Sequence, residues 1–247
     1  MNTVVSCENV LTGRNTAHDP LSIDIESETI TCLIGPIGSY KSAYMRTLAG
    51  IDPPYQGNVR VIEKNLTQLP KAEQNKLRRY IGYILPNSPL VSTLSIMQNI
   101  MLPAEYHRID NPAAIKEHAE TLLGWINVDI DPQRLAGTLS LFERHLIAIA
   151  RVLLLRPSLL FIDDAFTQSD AEQIGLLEKI YRKICHEQKV ALVVASHAPG
   201  FASRYADLIV FMHPHGGRTF RQWSELQKSE DAHIQSFIQA NVACGLQ

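Results

Sequence analysis

Chemistry in this chain concentrates in eight residues, Gly35 to Ser42 (GPIGSYKS). They match the phosphate-binding loop pattern GxxxxGK[ST], except that Tyr40 stands where the second glycine belongs. A loop of Gly35, Pro36, Ile37, Gly38, Ser39 and Tyr40 that turns backbone N–H groups inward, with a helix N-terminus behind it, cradles phosphate oxygens. Lys41 then supplies a point charge and the Ser42 hydroxyl a magnesium ligand. The plainer alternative is a glycine turn followed by a lone lysine at a helix start. Further along, SLLFIDD carries an apolar run into Asp163 and Asp164, the acidic strand end that the loop's mechanism demands, where Asp163 would hold magnesium through water. A third polar end follows at VALVVASH, which finishes on His197.

The elements that must position these residues show in the apolar periodicity. Thr29 to Ile34 (TITCLI) reads as a buried strand leading into the loop. Ala43 to Gly50 reads as a helix with Met45, Leu48 and Ala49 on its apolar face and Gly50 as a capping residue. Between about Asn87 and Leu155 the pattern turns helical, with Ile115, Ala119, Leu122 and Ile126 at helical spacing and a second run from Phe142 through Arg156. Strand patterns return at Ser158 to Asp163 and Val190 to Ala195, separated by a helical stretch from Asp170 to Glu187. This alternation predicts an α/β domain with a largely parallel sheet. Ligands of such sheets bind outside the carboxyl ends of the strands, which would gather Lys41, Asp163, Asp164 and His197 in one place.

Composition narrows the function classes. With 247 residues, 45% of them hydrophobic, the chain can bury a sizeable core. Lys and Arg number 23 against 25 Asp and Glu, a formal charge of -2, which leaves no positive field for a phosphodiester backbone and excludes nucleic acid as the main partner. Cys7, Cys32, Cys185 and Cys244 lack metal-ligand spacing, so a reducing compartment is expected. The start, MNTVVSCENV, has no secretory pattern. The most apolar stretch, Val152 to Ile162, is interrupted by Arg156 and Pro157 and falls short of the roughly 20 apolar residues that cross a bilayer. Any membrane association is expected through partner subunits, from the cytoplasmic side.

In this order and spacing the motifs resemble those of ABC transporter ATP-binding subunits over nearly the whole chain. The stretch LSLFERHLIAIARVLLLRPSLLFIDDAF is similar to the family's signature motif, the helix after it and the magnesium-binding strand, with Leu139 to Glu143 in place of LSGGQ. TQSD, ending at Asp170, resembles the D-loop, and His197 falls on the switch histidine. The resemblance implies a phosphate-loop α/β core with a mainly parallel sheet, an N-terminal antiparallel β subdomain and a helical subdomain. The boundaries expected are a nucleotide-binding domain over 1–222 (core 1–86 and 156–222, helical subdomain 87–155) and a C-terminal helical tail over 223–247. It also implies ATP and Mg2+ as cofactors, integral-membrane permease partners, and a head-to-tail homodimer or heterodimer with a second such subunit. In that pair Ser140 of one chain would reach the nucleotide of the other, and Asp170 of the D-loop-like segment is likewise expected among the nucleotide-binding residues. LPKAEQNKLRRYIGYI, QNIMLPAEYHR and HIQSFI look most like ATPases of bacterial lipid-trafficking and lipoprotein-release transporters.

The departures from the family pattern fall within its motifs. Asp164 stands where the family has a glutamate that orients the attacking water, so its carboxylate is one methylene short. Leu141 and Phe142 replace both signature glycines; they either hinder closure over the nucleotide or simply extend an apolar helix face. Tyr40 strains the loop if that position needs positive φ. Pro86 occupies the Q-loop glutamine position, with Asn87 a shifted substitute, and no aromatic residue precedes Tyr40 to stack on adenine. Two functions follow: an ATP-binding transport subunit with weak or impaired hydrolysis, or an inactive subunit that clamps a permease without nucleotide turnover.

Overall fold

The computed structural model describes residues 2–12, 19–127, 130–167 and 169–243. The chain opens with β1 (Thr3–Leu11), β2 (Leu21–Glu26), β3 (Ile30–Ile34), α1 (Lys41–Leu48) and β4 (Gln56–Val61). In β2 Leu21, Ile23 and Ile25 are buried while Ser22 and Asp24 face out, the period of a sheet with one wet face. Accordingly β2, β1 and β4 form a small antiparallel sheet. Every residue of β3 is buried instead, the mark of a strand covered on both faces.

The middle of the chain supplies α2 (Lys71–Arg78), β5 (Ile81–Ile84), α3 (Ile96–His107), α4 (Pro112–Trp125) and α5 (Leu141–Leu153). The last part supplies β6 (Leu159–Ile162), α6 (Ala171–Glu187), β7 (Ala191–Ser196), α7 (Gly200–Tyr205), β8 (Leu208–His213), β9 (Gly216–Phe220), α8 (Trp223–Gln227) and α9 (Ala232–Ala243). A second sheet runs β5-β6-β7-β3-β8-β9, parallel except for β9. Alternate residues of its strands feed two separate cores. Leu33, Phe161 and Val193 pack with Tyr44, Met45 and Leu48 of α1 and with the antiparallel sheet. Cys32, Ile162 and Val194 pack on the opposite side, where α5 and α6 lie. The α/β class with a mainly parallel sheet, an N-terminal antiparallel sheet and a helical insert is therefore as the sequence implies.

Helix ends follow local chemistry. Ser95 and Ser140 each close a capping box, with Gln98 and Glu143, at the starts of α3 and α5. The helix expected to run from Phe142 to Arg156 stops at Leu153, because Arg156 turns left-handed (φ 51°) ahead of Pro157. The helix expected from Ala43 begins at Lys41, and Gly50, at φ 66°, caps it through an N–H donated to Thr47. Ile115, Ala119, Leu122 and Ile126 are buried on one face of the α4 region. Trp125, which the sequence leaves open between core and outer surface, is half-buried; its Nε1 donates to Glu187 (3.1 Å) and Lys183 sits over its ring (4.7 Å), joining α4 to α6. Cys7, Cys32 and Cys185 are buried free thiols, and Cys244 lies outside the described residues. No helix among the described residues is long and apolar enough to cross a membrane.

The terminal helix packs onto the domain. Ile234 is fully enclosed, and the Phe237 ring meets Phe211 of β8 edge-on at 5.3 Å between centroids. Truncating a buried aromatic costs about 3 kcal/mol or more. Phe237→Ala is expected to lower unfolding free energy in urea by about that amount, and a loss below about 0.5 kcal/mol would show that α9 adds no packing to the core.

Candidate functional site

Four neighbouring strands end on one edge of the large sheet. In the order β5, β6, β7, β3 they deliver Pro86, then Asp163 and Asp164, then Ser196 and His197, then the loop that starts at Gly35. These ends, with Gly38 to Ala43, surround a cavity of about 420 Å³, where open α/β sheets hold their ligands.

The loop curls through positive φ at Gly35 (147°), Gly38 (83°) and Tyr40 (62°). At Gly35 no side chain fits, since a Cβ would lie 2.0 Å from the carbonyl oxygen of Met212. Tyr40 occupies the left-handed region (φ 62°, ψ 17°) directly ahead of α1. That is the conformation for which the pattern reserves glycine, and an L-residue there costs roughly 1–2 kcal/mol. The loop keeps its curl with the side chain at the cavity rim, 42% exposed.

Inside the curl lies the ammonium group of Lys41. Its Nζ donates to the carbonyl oxygens of Gly35 (2.8 Å) and Pro36 (2.9 Å) and to Ser39 Oγ (3.1 Å), which occupies all three of its N–H donors. Burial lowers its pKa to about 8, against the smaller opposing pull of Asp164 and Asp163.

Opposite, Asp163 is held at both oxygens: Ser42 Oγ donates to Oδ1 (2.9 Å) and the Tyr83 hydroxyl to Oδ2 (3.1 Å). Burial raises this carboxyl's pKa, and the two hydroxyls oppose the shift. Burial, with Asp163 beside it, also raises the Tyr83 phenol. The pair Ser42 and Asp163 suits magnesium: both offer hard oxygen donors, so the Ser42 hydroxyl would hold the ion directly and the Asp163 carboxylate through water. Among the described residues no cluster of three or more His, Cys, Asp or Glu could hold a metal ion, so such an ion would draw most ligands from water and phosphate.

Asp164 is itself left-handed (φ 61°), and its Oδ1 accepts from the Thr167 hydroxyl. His197 Nε2 stands 4.0 Å from the same oxygen. Burial first, and the charge of Lys41 second, hold the His197 imidazole below its usual pKa, so it is neutral at pH 7.

Ser140 and Asp170 do not join this cavity. They are N-caps: Ser140 Oγ accepts from the Glu143 N–H (3.2 Å) and Asp170 Oδ1 from the Gln173 N–H (2.9 Å). Gln168, in the D-loop-like segment, lies outside the described residues. Of the two signature replacements, Phe142 packs partly on the core while Leu141 is exposed. Sequence reasoning missed Tyr83. Its one signal is strand register, since Tyr83 pairs with Phe161 on the neighbouring strand, two residues before Asp163.

A six-stranded sheet with this loop, the antiparallel sheet beside it and the helical insert is the fold of ATP-binding cassettes. It superimposes on the dimeric post-hydrolysis cassette MJ0796 bound to ADP and Pi with a TM-score of 0.78, at 21% identity, over 88% of this chain and 98% of that one. Clostridium perfringens cbiO1, part of the ABC transporter complex cbiONQ, gives a TM-score of 0.79 at 18% identity over 99% and 94%. The chain belongs to the ABC transporter family, whose model matches residues 18–167. It is 29% identical to the phosphate-import ATP-binding protein PhnC of Mycolicibacterium smegmatis, over 83% of this chain and 80% of that protein. It is 30% identical to the sulfate/thiosulfate import ATP-binding protein CysA of Synechocystis, over 81% of this chain but only 55% of that protein.

Two expectations follow from the loop. A phosphate group selects the charged form of Lys41, so above pH 8 binding must recruit a proton, and the association constant for ATP should fall by about tenfold per pH unit between pH 8 and pH 9.5. Calorimetric titration across this range checks it: Lys41→Arg should flatten the slope, and a flat wild-type profile contradicts the assignment. Tyr40→Gly should raise unfolding free energy by about 0.5–1 kcal/mol, the relief of left-handed strain less the added freedom of the unfolded chain. A loss of stability in urea would mean that the tyrosine ring contributes more by packing than its backbone costs.

Proposed function

We propose that this chain is the nucleotide-binding subunit of an ABC transporter. It binds ATP with Mg2+, pairs with a second ATP-binding subunit and acts on integral-membrane permease subunits from the cytoplasmic face. Its own ATP hydrolysis is weak. The observation that carries this is one cavity lined both by Lys41, whose ammonium the loop's oxygens hold, and by the hydrogen-bonded Ser42–Asp163 pair. The nucleotide-binding domain is taken as 1–222, with 87–155 as its helical subdomain and 223–247 as the tail. Relatives named as import ATP-binding proteins support an importer; lipid or lipoprotein transport rests on resemblance of a few segments alone.

In this reading Lys41 neutralises phosphate charge and the loop N–H groups position the chain of phosphates. Ser42, and Asp163 through water, would hold magnesium, which when bound would offset phosphate charge. His197, neutral and beside the loop, donates a hydrogen bond toward the terminal phosphate. Asp164 is the water-orienting group, and here the geometry is poor: the carboxylate is short and one oxygen is already engaged by Thr167. A displacement near 1 Å costs about a hundredfold in rate. The second reading, a permease clamp without turnover, is favoured by the same tied carboxylate and by exposed Leu141 in place of a signature glycine.

Phosphate release from Mg-ATP, by the purified chain and by its complex with permease, separates the two readings. Slow release that Lys41→Ala abolishes supports the ATPase; binding without release supports the clamp. Because Thr167 and Leu141 remain, Asp164→Glu alone should raise turnover by less than about tenfold, and turnover of the order usual for transport ATPases in that single mutant would contradict the account of impaired hydrolysis.

A further inference from the structure

Beneath the cavity a chain of hydrogen bonds joins three of its surrounding segments, and no step of the proposed reaction uses it. Ser88, two residues after Pro86 and 2% exposed, places its hydroxyl 2.8 Å from Nδ1 of His145. His145 lies on α5, the helix whose first residues are Leu141 and Phe142. Its Nε2 is 2.6 Å from the hydroxyl of Tyr181, a wholly buried residue of α6. Tyr181 donates onward to the carbonyl of Ala165 at 3.2 Å. Ala165 follows Asp164, and its own N–H donates to Ala195 at 3.1 Å, on the strand that ends at Ser196 beside His197.

The bonds have one consistent direction. The Tyr181 hydrogen goes to Ala165, so its oxygen must accept from His145 Nε2–H. A neutral imidazole has one N–H, so Nδ1 accepts from Ser88. His145 keeps a fringe of exposed surface, yet burial pushes its pKa down to about 4 and keeps it neutral. Each member thus finds a partner for its polar atoms, the condition under which an enclosed polar network rigidifies its surroundings.

Both ends of the chain sit on strained backbone. Asn87 (φ 59°) and Ser88 (φ 44°) are left-handed at one end, and Asp164 (φ 61°) at the other. Non-glycine residues stay in that region only where surrounding contacts over-determine them. Leu141, Phe142, His145, Asp164 and Thr167 also line one crevice, so α5 and the Asp164 loop share a surface cleft as well as the interior link through Tyr181.

We propose that His145 is a positioning residue: by accepting from Ser88 and donating to Tyr181 it holds the 86–88 and 163–165 loops in one register and ties the placement of Asp164 to α5. This role rests on the nucleotide-binding reading for its consequence, though the relay can be measured without nucleotide.

Hydrogen exchange of the full chain tests the relay, beside urea stability, Mg-ATP affinity and phosphate release. His145→Phe should speed amide exchange in 85–88 and 163–167 by about tenfold or more while β7 stays as slow as in wild type. Tyr181→Phe should speed 163–167 but leave 85–88 unchanged. His145→Gln, whose amide can donate and accept with the same polarity, should stay within about threefold of wild type at both segments. In turnover, His145→Phe should lower kcat by about tenfold or more at an ATP affinity within about threefold, with His145→Gln restoring it. Unchanged exchange in both loops of His145→Phe, or a Gln variant as perturbed as the Phe variant, overturns the proposal; should the Phe variant not fold, His145→Gln and Tyr181→Phe decide it by the same segments. A wild-type chain with the relay pattern but without affinity for Mg-ATP overturns the nucleotide reading and leaves the relay standing.

Discussion

The buried ammonium of Lys41 sets the terms for everything around it. A charge taken out of water must be hydrogen-bonded at each donor or its burial is prohibitive, and here Gly35, Pro36 and Ser39 turn oxygen atoms toward it. For a loop of this length to do so, its backbone must pass through positive φ at three places. The parallel sheet anchors the loop's start, α1 anchors its end, and the Asp163 and Asp164 charges lie close enough to favour the ammonium. Remove the enclosed charge and the curl loses the centre on which its carbonyls converge.

Against that preserved centre, the departures from the family pattern sort by what they touch. Tyr40 alters the backbone cost of the loop, yet the loop keeps its shape. Asp164 is a left-handed residue with a short side chain and an oxygen engaged by Thr167, which together draw the carboxylate toward its own loop. In the proposed reading, charge recognition by Lys41 and water orientation by Asp164 use different residues, so one can persist while the other is weak.

The fold and half of the site were legible from one sequence because both depend on local pattern. TITCLI and VALVVA are continuous apolar runs and became strands buried on both faces; Ile115, Ala119, Leu122 and Ile126 repeat at helical spacing and became a core face. The loop, Asp163, Asp164 and His197 follow directly from strand ends, so placing the strands placed them. Helix limits moved by two or three residues where caps and left-handed residues intervened, as at Arg156. Tyr83 and His145 were not legible, because their meaning lies in partners far along the chain: Tyr83 meets Asp163 across 80 positions, and His145 meets Ser88 across 57 and Tyr181 across 36. Periodicity reports which face a residue occupies and not which hydroxyl waits there.

Calorimetric titration of the purified chain with Mg-ATP at pH 7.5, beside Lys41→Ala, tests the central claim most directly. The account predicts saturable binding by the wild-type chain, with affinity lost in the variant by about a hundredfold or more, the order expected when a charge-assisted phosphate contact is removed. No detectable heat at millimolar nucleotide, or equal binding by both proteins, would contradict it.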